Sequence, residues 1–504
     1  MSDSSIENNS KNSGGSDENT DQSKSRKHTT MISSYDREEL QNKMEKIANH
    51  STSYFFLLCG LIAYKIFGKM QKLANQKYVQ SVIHGEPADL ATVDLFSNLV
   101  SAIAPLFGLL LDNIYPFRRR FSLYVIFAAT IIFTSLSCVW AFPQSKTSFI
   151  AAISVHASAD TFIAVVTQGV IAMKTKMDLE VYDLNKLIES MKTPEELERE
   201  KSETKNDRSR RRFATPRDQI GLRLYTFYTV FKAFFEGISS IIGGLIVQYV
   251  SIKLVYLIAA TPGLFLILVI YLIKEPKEDT MYANNQNLMQ TTKSFFTVFF
   301  APMVILPAIL KLLTKAIPDP GDAINFILVN QGGWSYAQLG GLNAMAVPIV
   351  AYTVNKLSSL TKGSGFEFLF MIGILSFGWS QLFEIPLIFT SIPFILFFIS
   401  YIFLIVLNFA ADLLTITSLF GRFNTLIPDG FESTGANILN SLIELADAVS
   451  LYGTKRELDY FGVVNGYYSR IKGPLIINYA LSIITCFICP FFLLGGSRSQ
   501  PKKN

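Results

Sequence analysis

The chain has 504 residues, of which 50% are hydrophobic, 13% aromatic and only 17% charged, with a formal net charge of +5. A soluble domain carries about a quarter charged residues, so this composition indicates a membrane protein with polar appendages. The positive charge lies in loops and forms no basic face with interleaved aromatic residues, which excludes a nucleic-acid groove. Four cysteines within apolar segments predict neither a disulfide framework nor a metal site, and no set of residues predicts an enzyme or a cofactor.

The N-terminal segment, residues 1–52, is polar and rich in Ser, Asn, Asp and Lys. It lacks the apolar core of a cleaved secretory signal. We therefore expect a disordered cytosolic tail there.

Twelve apolar segments are long enough to cross a bilayer, which takes about 20 mostly apolar residues because lipid offers backbone groups no hydrogen-bond partner. They form two groups of six, which predicts an all-α membrane protein built from two six-helix bundles. The predicted spans are 54–70, 93–113, 122–142, 148–173, 222–249, 254–273, 295–330, 338–356, 366–385, 392–420, 433–452 and 475–494. The predicted divisions are bundle 53–273 with a cytosolic insertion 174–219, connector 274–294, bundle 295–494 and tail 495–504.

Lysine and arginine bias predicts the orientation, because cytosolic loops carry the excess of these residues. Basic clusters follow the second, fourth and sixth spans, at 118–120, 208–217 and 274–277. Both termini are then expected in the cytosol. The plasma membrane is the default location, and an organelle membrane is the alternative.

A first motif ends the second span. Gly108 permits close approach of two helices, and Asp112 lies four residues later, ahead of Arg118, Arg119 and Arg120. A carboxylate at a helix end can pair with an arginine or with a neighbouring helix terminus. A charge pair of Asp112 with Arg118 or Arg119 that breaks and reforms would act as a gate, and a static anchor with a cluster of cytosolic positive charge is the alternative.

A second motif interrupts the seventh span, where Pro318, Pro320 and the glycine after it break the helical hydrogen-bond ladder ahead of Ala323. Non-helical backbone at membrane depth is tolerated where it lines a cavity or is buried in protein, and transporters place solute sites at such breaks. A reentrant or extramembrane loop is the alternative.

A third motif opens the eleventh span, where Glu432 and Thr434 lie in the first turn of a helix. An acid and a hydroxyl there can satisfy free N–H groups, so helix capping alone would explain both residues.

Two pairs of ionisable residues lie one helical turn apart inside apolar spans, where charges are costly and mark pathways. His156 and Asp160 in the fourth span are candidates for proton coupling, with an interhelical hydrogen bond as the alternative. Lys232 and Glu236 in the fifth span form either a structural pair or an anion-binding lysine.

The three motifs together resemble those of the folate–biopterin transporter family, a branch of the major facilitator superfamily. The second-span pattern is matched by Pro105, Leu106, Gly108, Asp112 and the arginines that follow. The seventh-span pattern is matched by Pro318, Pro320, Ala323, Phe326, Gly333, Trp334, Ser335, Leu339 and Gly340. The eleventh-span pattern is matched by Pro428, Gly430, Glu432 and Thr434.

The resemblance implies a folate or pterin solute moved by alternating access and coupled to protons. A flat heteroaromatic dicarboxylate requires aromatic rings for stacking, an amide and a cation, for which the candidates are Tyr228, Lys232, Asn325, Phe326 and Trp334. Another organic solute on the same scaffold, such as S-adenosylmethionine or an organic anion, is an alternative. A receptor or membrane adaptor that transports nothing is a further one.

Overall fold

Every regular element in the part of the chain that the structure describes is helical. The structure is a computed structural model that describes residues 18–65, 70–114, 119–142, 145–190, 217–273, 275, 293, 296–330, 333–342, 344–345, 347–348, 352, 365–383, 394–424, 426–427, 431–464 and 468–497. The helices in the first half are α1 (Glu18–Tyr64), α2 (Met70–Ser81), α3 (Pro87–Ser101), α4 (Ala104–Asn113), α5 (Ser122–Ala141), α6 (Lys146–Ser190), α7 (Arg217–Tyr249) and α8 (Ile252–Leu272). Those in the second half are α9 (Pro302–Lys315), α10 (Gly321–Asn330), α11 (Gly365–Leu382), α12 (Phe394–Asn424), α13 (Glu432–Phe461) and α14 (Lys472–Ser497).

Six helices in the described residues are long and apolar enough to cross a membrane. They coincide with predicted spans two, three, four, five, six and ten. The other predicted spans fall on helices that are interrupted, more polar or only partly described. The six are Pro87–Asn113, Ser122–Ala141, Lys146–Ile188, Arg223–Tyr249, Ile252–Leu272 and Ile399–Gly421.

The first span differs from its prediction as a single segment, 54–70. Helix α1 ends at Tyr64, Lys65 lies in a turn, and a second helix runs over Met70–Ser81. The polar residues of α2 that ended the predicted span are accommodated because much of this helix is buried in protein, Asn75 and Gln76 included. The seventh span is likewise split, into α9 and α10, as its prolines predicted.

The N-terminal segment was predicted to be a disordered tail, and helix α1 begins within it, at Glu18. Residues 36–47 are mainly Glu, Lys, Gln, Met, Leu and Arg, all strong helix formers. In the compact unit of Met1–Asn49 and Glu180–Phe213, Lys43 forms an ion pair of 3.0 Å with Glu180. Helix α6 continues to Ser190, into the predicted insertion. The rest of that insertion to 216, most of the connector 274–294, and residues 498–504 lie outside the described residues.

The larger unit, His50–Leu179 with Ala214–Asn504, contains five of the six membrane-spanning candidates entirely and residues 146–179 of the sixth. The main contacts between its first and second halves are those of α13 along α3 and α4 and of α12 against α7. Within the halves, α5 packs on α8 and α11 packs on α12. One continuous hydrophobic core of buried aliphatic and aromatic side chains connects both halves.

Candidate functional site

A cavity of about 510 Å³ whose wall carries charged residues lies between helices of both halves. This size suits a small organic molecule, since ligand pockets commonly measure about 300–1,000 Å³. Helices α2 and α7 line it from the first half, and α9 to α14 line it from the second. Its charged lining residues are Lys72, Glu236, Lys311, Lys315, Asp319, Asp412 and Asp447.

The break between α9 and α10 forms part of the cavity wall. Asp319 and Gly321 line the cavity, while Pro320 is buried. The backbone groups freed by the break are satisfied by α13, because the Asp319 N–H donates to Thr454 Oγ1 at 2.9 Å. Gly453 of α13 allows Pro318 to approach closely. The break is therefore a built element of a protein-lined cavity, as non-helical backbone at membrane depth must be.

Two lysines and two aspartates form a cluster on the cavity wall. Lys311 Nζ lies 2.6 Å from Asp412 Oδ1, and Lys315 Nζ lies 2.8 Å from Asp412 Oδ2. Lys315 also lies 3.8 Å from Asp447. The Lys311 side chain is 3% exposed, whereas Asp412 is 42% exposed. We call these four residues the cavity cluster.

A second ionic network joins the end of α4 to the start of α13. Asp112 accepts hydrogen bonds from the N–H groups of Ser433 and Thr434, at 3.1 and 2.7 Å, and from the Thr434 hydroxyl at 2.7 Å. Gly108 packs directly on this helix start, since a Cβ atom there would lie 2.7 Å from the Thr434 Cα. The Asp112 carboxylate thus caps a helix of the other half and gains from its dipole.

Arg120 completes this network. Its guanidinium pairs with Asp112 and, at 2.9 Å, with Glu432 Oε2. Lys176 Nζ pairs with the other oxygen of Glu432 at 2.7 Å. We call Asp112, Arg120, Lys176 and Glu432 the closing network; the first two and the last are at least nine-tenths buried.

The gate was predicted to pair Asp112 with Arg118 or Arg119, and in the structure Arg120 pairs with Asp112. Arg118 lies outside the described residues. Helix α5 starts at Ser122, and Glu275 caps that start by accepting hydrogen bonds from the N–H groups of Arg120, Phe121 and Ser122. This cap fixes the backbone of Arg120 and so aims its side chain at Asp112.

Helix capping was the interpretation that the sequence offered for Glu432, and the described contacts of its carboxylate are ion pairs. The N-cap of α13 is Phe431, which makes no side-chain cap, and the capping carboxylate is Asp112. Glu432 instead holds two cations. An acidic residue in the first turn of a helix predicts a partner in that same turn, whereas the cations that pair with Glu432 lie in the other half. Pro428 and Gly430 of the same motif lie outside the described residues.

His156 and Asp160 lie on one face of α6, and a third residue joins them. Lys65 Nζ, at the turn that ends α1, donates to both oxygens of Asp160 at 2.9 and 3.1 Å. The His156 side chain is buried, and its Nδ1 has no hydrogen-bond partner among the described residues. A lysine, an aspartate and a histidine therefore meet where the first span is broken.

The five residues selected for solute contact are dispersed. Asn325 lines the cavity and accepts a 2.8 Å hydrogen bond from Tyr401, another lining residue. Phe326 is fully buried in the hydrophobic core, and Trp334 packs against that core. Lys232 lies 3.9 Å from Glu236 and 6.0 Å from the ring centre of the buried Tyr228.

The cations that sequence analysis did not select share one signal: each is a lysine within or beside an apolar span. Such residues are costly in a membrane and mark functional sites together with a partner. Lys65 stood out only as an interruption of the first span, because nothing in the sequence shows which carboxylate it meets. The missed lysines are Lys65, Lys176, Lys311 and Lys315.

No protein-family model and no curated protein sequence matches the chain. Solved structures do. The chain is similar to the human organic anion transporter TETRAN, with 12% identity, a TM-score of 0.55, and coverage of 88% of this chain and 99% of that chain. It is similar to the nucleoside transporter NupG, with 10% identity, a TM-score of 0.59, and coverage of 88% and 99%. It is also similar to the peptide transporter POT in complex with sulfate, with 12% identity, a TM-score of 0.57, and coverage of 88% and 95%.

At this level of identity the likeness shows the fold. It is the all-α fold of major facilitator superfamily transporters, as the sequence predicted. With its apolar helices, the chain is a multi-pass membrane protein of that fold.

Proposed function

We propose that this protein is a carrier that moves a small organic solute across a membrane by alternating access. The observation that carries this proposal is the pairing of a cavity lined by both halves, with charged residues on its wall, and a separate ionic network that ties the two halves together. Glu432 of the closing network and Asp447 of the cavity lie on the same helix, fifteen residues apart, so about 22 Å of α13 separates the two sites.

The closing network has the chemistry of a gate. Its contacts cross between α4 and α13, which belong to different halves, and Asp112 and Arg120 are buried. A buried charge that loses its partner is strongly destabilised, so the network does not open one contact at a time. It therefore favours one discrete closed state over gradual opening. Separation of α4 from α13 would expose these groups to water and open a path on that side.

The solute that we propose is a folate or pterin, moved together with protons. The motifs of the second, seventh and eleventh spans support this solute class, and Asn325 provides an amide on the cavity wall. The cluster of Lys65, His156 and Asp160 supports proton coupling, because it combines a histidine with a lysine–carboxylate pair that protonation would weaken. We further propose that both termini and the closing network face the cytosol, in the plasma membrane.

Uptake into proteoliposomes tests the carrier. The purified full chain is reconstituted, and accumulation of radiolabelled folic acid, pterin, a nucleoside, an organic anion and a dipeptide is measured with and without an inward proton gradient. We expect saturable folic acid or pterin uptake that the gradient increases, and none in protein-free vesicles. Uptake of only another solute would overturn the folate assignment, and uptake of none would overturn the carrier.

A matched pair of variants tests the proton site. Asp160→Asn removes the carboxylate while keeping the shape of the side chain. We expect it to abolish gradient-driven accumulation but to retain exchange of labelled for unlabelled solute, since exchange needs no net proton movement. Asp178→Asn, a change on the same helix at a carboxylate paired with Lys174, serves as the control and should retain both activities.

A further inference from the structure

The cavity cluster differs from an ordinary structural ion pair in how its two ammonium groups are shared. Lys311 and Lys315 lie four residues apart on α9 and therefore on one face of that helix. Both converge on the single carboxylate of Asp412, one on each oxygen. Two ammonium groups around one carboxylate form a clamp for an oxyanion.

Asp412 is the residue of this clamp that another anion can displace. Its side chain is 42% exposed to the cavity, so it can leave the lysines and become hydrated. The Lys311 side chain, in contrast, is 3% exposed and is held in the wall. Lysine has three N–H donors, and the described contacts of Lys311 direct one of them at Asp412.

The second aspartate is held from the other half of the molecule. Asp447 Oδ2 accepts a hydrogen bond of 3.3 Å from Asn98 of α3, while its Oδ1 lies 3.8 Å from Lys315. Asp447 therefore balances the charge of Lys315 without occupying the clamp. With two ammonium groups and two carboxylates, the cluster is neutral as built.

We propose that Lys311 and Lys315 bind a carboxylate of the solute, and that Asp412 is the internal anion that holds this place in the conformation described here. This inference rests on the proposed carrier function and assigns the cationic subsite within it. A solute carboxylate displaces Asp412 from the two ammonium groups and takes over their hydrogen bonds. The displaced aspartate then faces the cavity water.

This assignment replaces Lys232 as the cation that meets an acidic solute. Lys232 is not among the residues that line the cavity, whereas Lys311 and Lys315 both are. The ammonium group of Lys232 also lies close to Glu236 and the Tyr228 ring. The proposed subsite discriminates by charge, so it favours solutes with a carboxylate over neutral molecules of the same ring system.

Equilibrium binding to the purified full chain tests the proposal with three probes that share one ring system: folic acid with two carboxylates, pteroic acid with one, and pterin with none. We expect both acids to bind at least about tenfold more tightly than pterin, equivalent to about 1.4 kcal/mol. Lys315→Gln should weaken folic acid binding about tenfold and leave pterin binding unchanged. Lys315→Arg, which keeps the charge, should bind folic acid as the wild type does.

Two further variants complete the test. Asp412→Asn removes the internal competitor and should tighten folic acid binding, whereas Lys232→Gln, the matched control, should leave it unchanged. Equal affinity for the three probes, binding of none of them, loss of pterin binding in Lys315→Gln, or the same loss in Lys232→Gln would each overturn the subsite. Binding of folic acid that depends on Lys315, with no uptake into proteoliposomes, would support the subsite and overturn the carrier.

Discussion

The closing network and the cavity cluster use the same residue types in opposite ways. In the closing network, Asp112 and Arg120 are buried, and Asp112 also accepts three hydrogen bonds from the start of α13. In the cavity cluster, Asp412 is two-fifths exposed and bonds only to flexible lysine side chains among the contacts described. Burial and hydrogen bonding thus hold the Asp112 carboxylate in place, while the exposure of Asp412 allows another anion to replace its carboxylate.

The two networks should differ most in how much the free energy of unfolding falls when a cation is removed. Arg120→Gln leaves Asp112 and Glu432 buried without their common partner, and breaking a buried pair in this way costs about 3–5 kcal/mol. Lys315→Gln removes a partly exposed cation from the cavity wall and should cost no more than about 1 kcal/mol. Thermal and denaturant unfolding of both variants in detergent measure the difference. Equal destabilisation would show that the two networks are energetically alike.

A substitution at Gly108 tests the closing network through packing, without altering any charge. Gly108→Leu places a side chain against the Thr434 backbone, and overpacking of this kind costs about 1–3 kcal/mol. We expect the variant to separate α4 from α13, to lose stability by that amount and to lose gradient-driven uptake.

The control is Gly341→Leu, because a Cβ atom at Gly341 meets nothing within 4 Å. Gly108 lies in α4, and Gly341 lies in the helical residues 336–342. Both changes therefore raise helix propensity in the same way, so a difference between them isolates the contact with Thr434. If the two variants unfold alike and transport alike, the close approach at Gly108 has no role in closing.

The pair of Lys65 and Asp160 lies between the two networks in exposure, with side chains 9% and 36% exposed. We therefore expect an intermediate coupling free energy of about 2 kcal/mol in a double-mutant cycle of Lys65→Met and Asp160→Asn. Unfolding of the wild type, both single variants and the double variant gives this value. Additive effects would mean that the bidentate contact contributes nothing to stability.

The all-α fold and the break in the seventh span were predictable because each depends on local sequence. Apolar length marks spans, and Pro318 with Pro320 marks the break. The continuation of the first span was missed, since Asn75 and Gln76 look like loop residues until their burial in protein is known. Polarity in a helix signals the end of a span only when that helix faces lipid.

Partners across the two halves were not predictable. The sequence places Asp112 and Glu432 at helix ends, but it does not show that Arg120 pairs with both, since Glu432 lies 312 positions after Arg120. The choice among three adjacent arginines was likewise decided by Glu275, which fixes the backbone at Arg120. Residue type therefore identified the participants in part, and tertiary contact decided their pairing.

The smallest predicted effect concerns Lys232, the cation that sequence analysis favoured. Its ion pair with Glu236 is long, at 3.9 Å, and its side chain is 37% exposed, so Lys232→Gln should change the free energy of unfolding by no more than about 0.5 kcal/mol. Folic acid binding should also stay within about twofold of the wild type, because a lysine outside the cavity wall has no contact to lose. Unfolding and equilibrium binding of the same preparation measure both quantities. A large loss of binding with unchanged stability would place the cationic subsite on α7 instead of α9. The carboxylate that the solute displaces would then be Glu236 instead of Asp412, and Glu236 would be the one to compare with the buried Asp112.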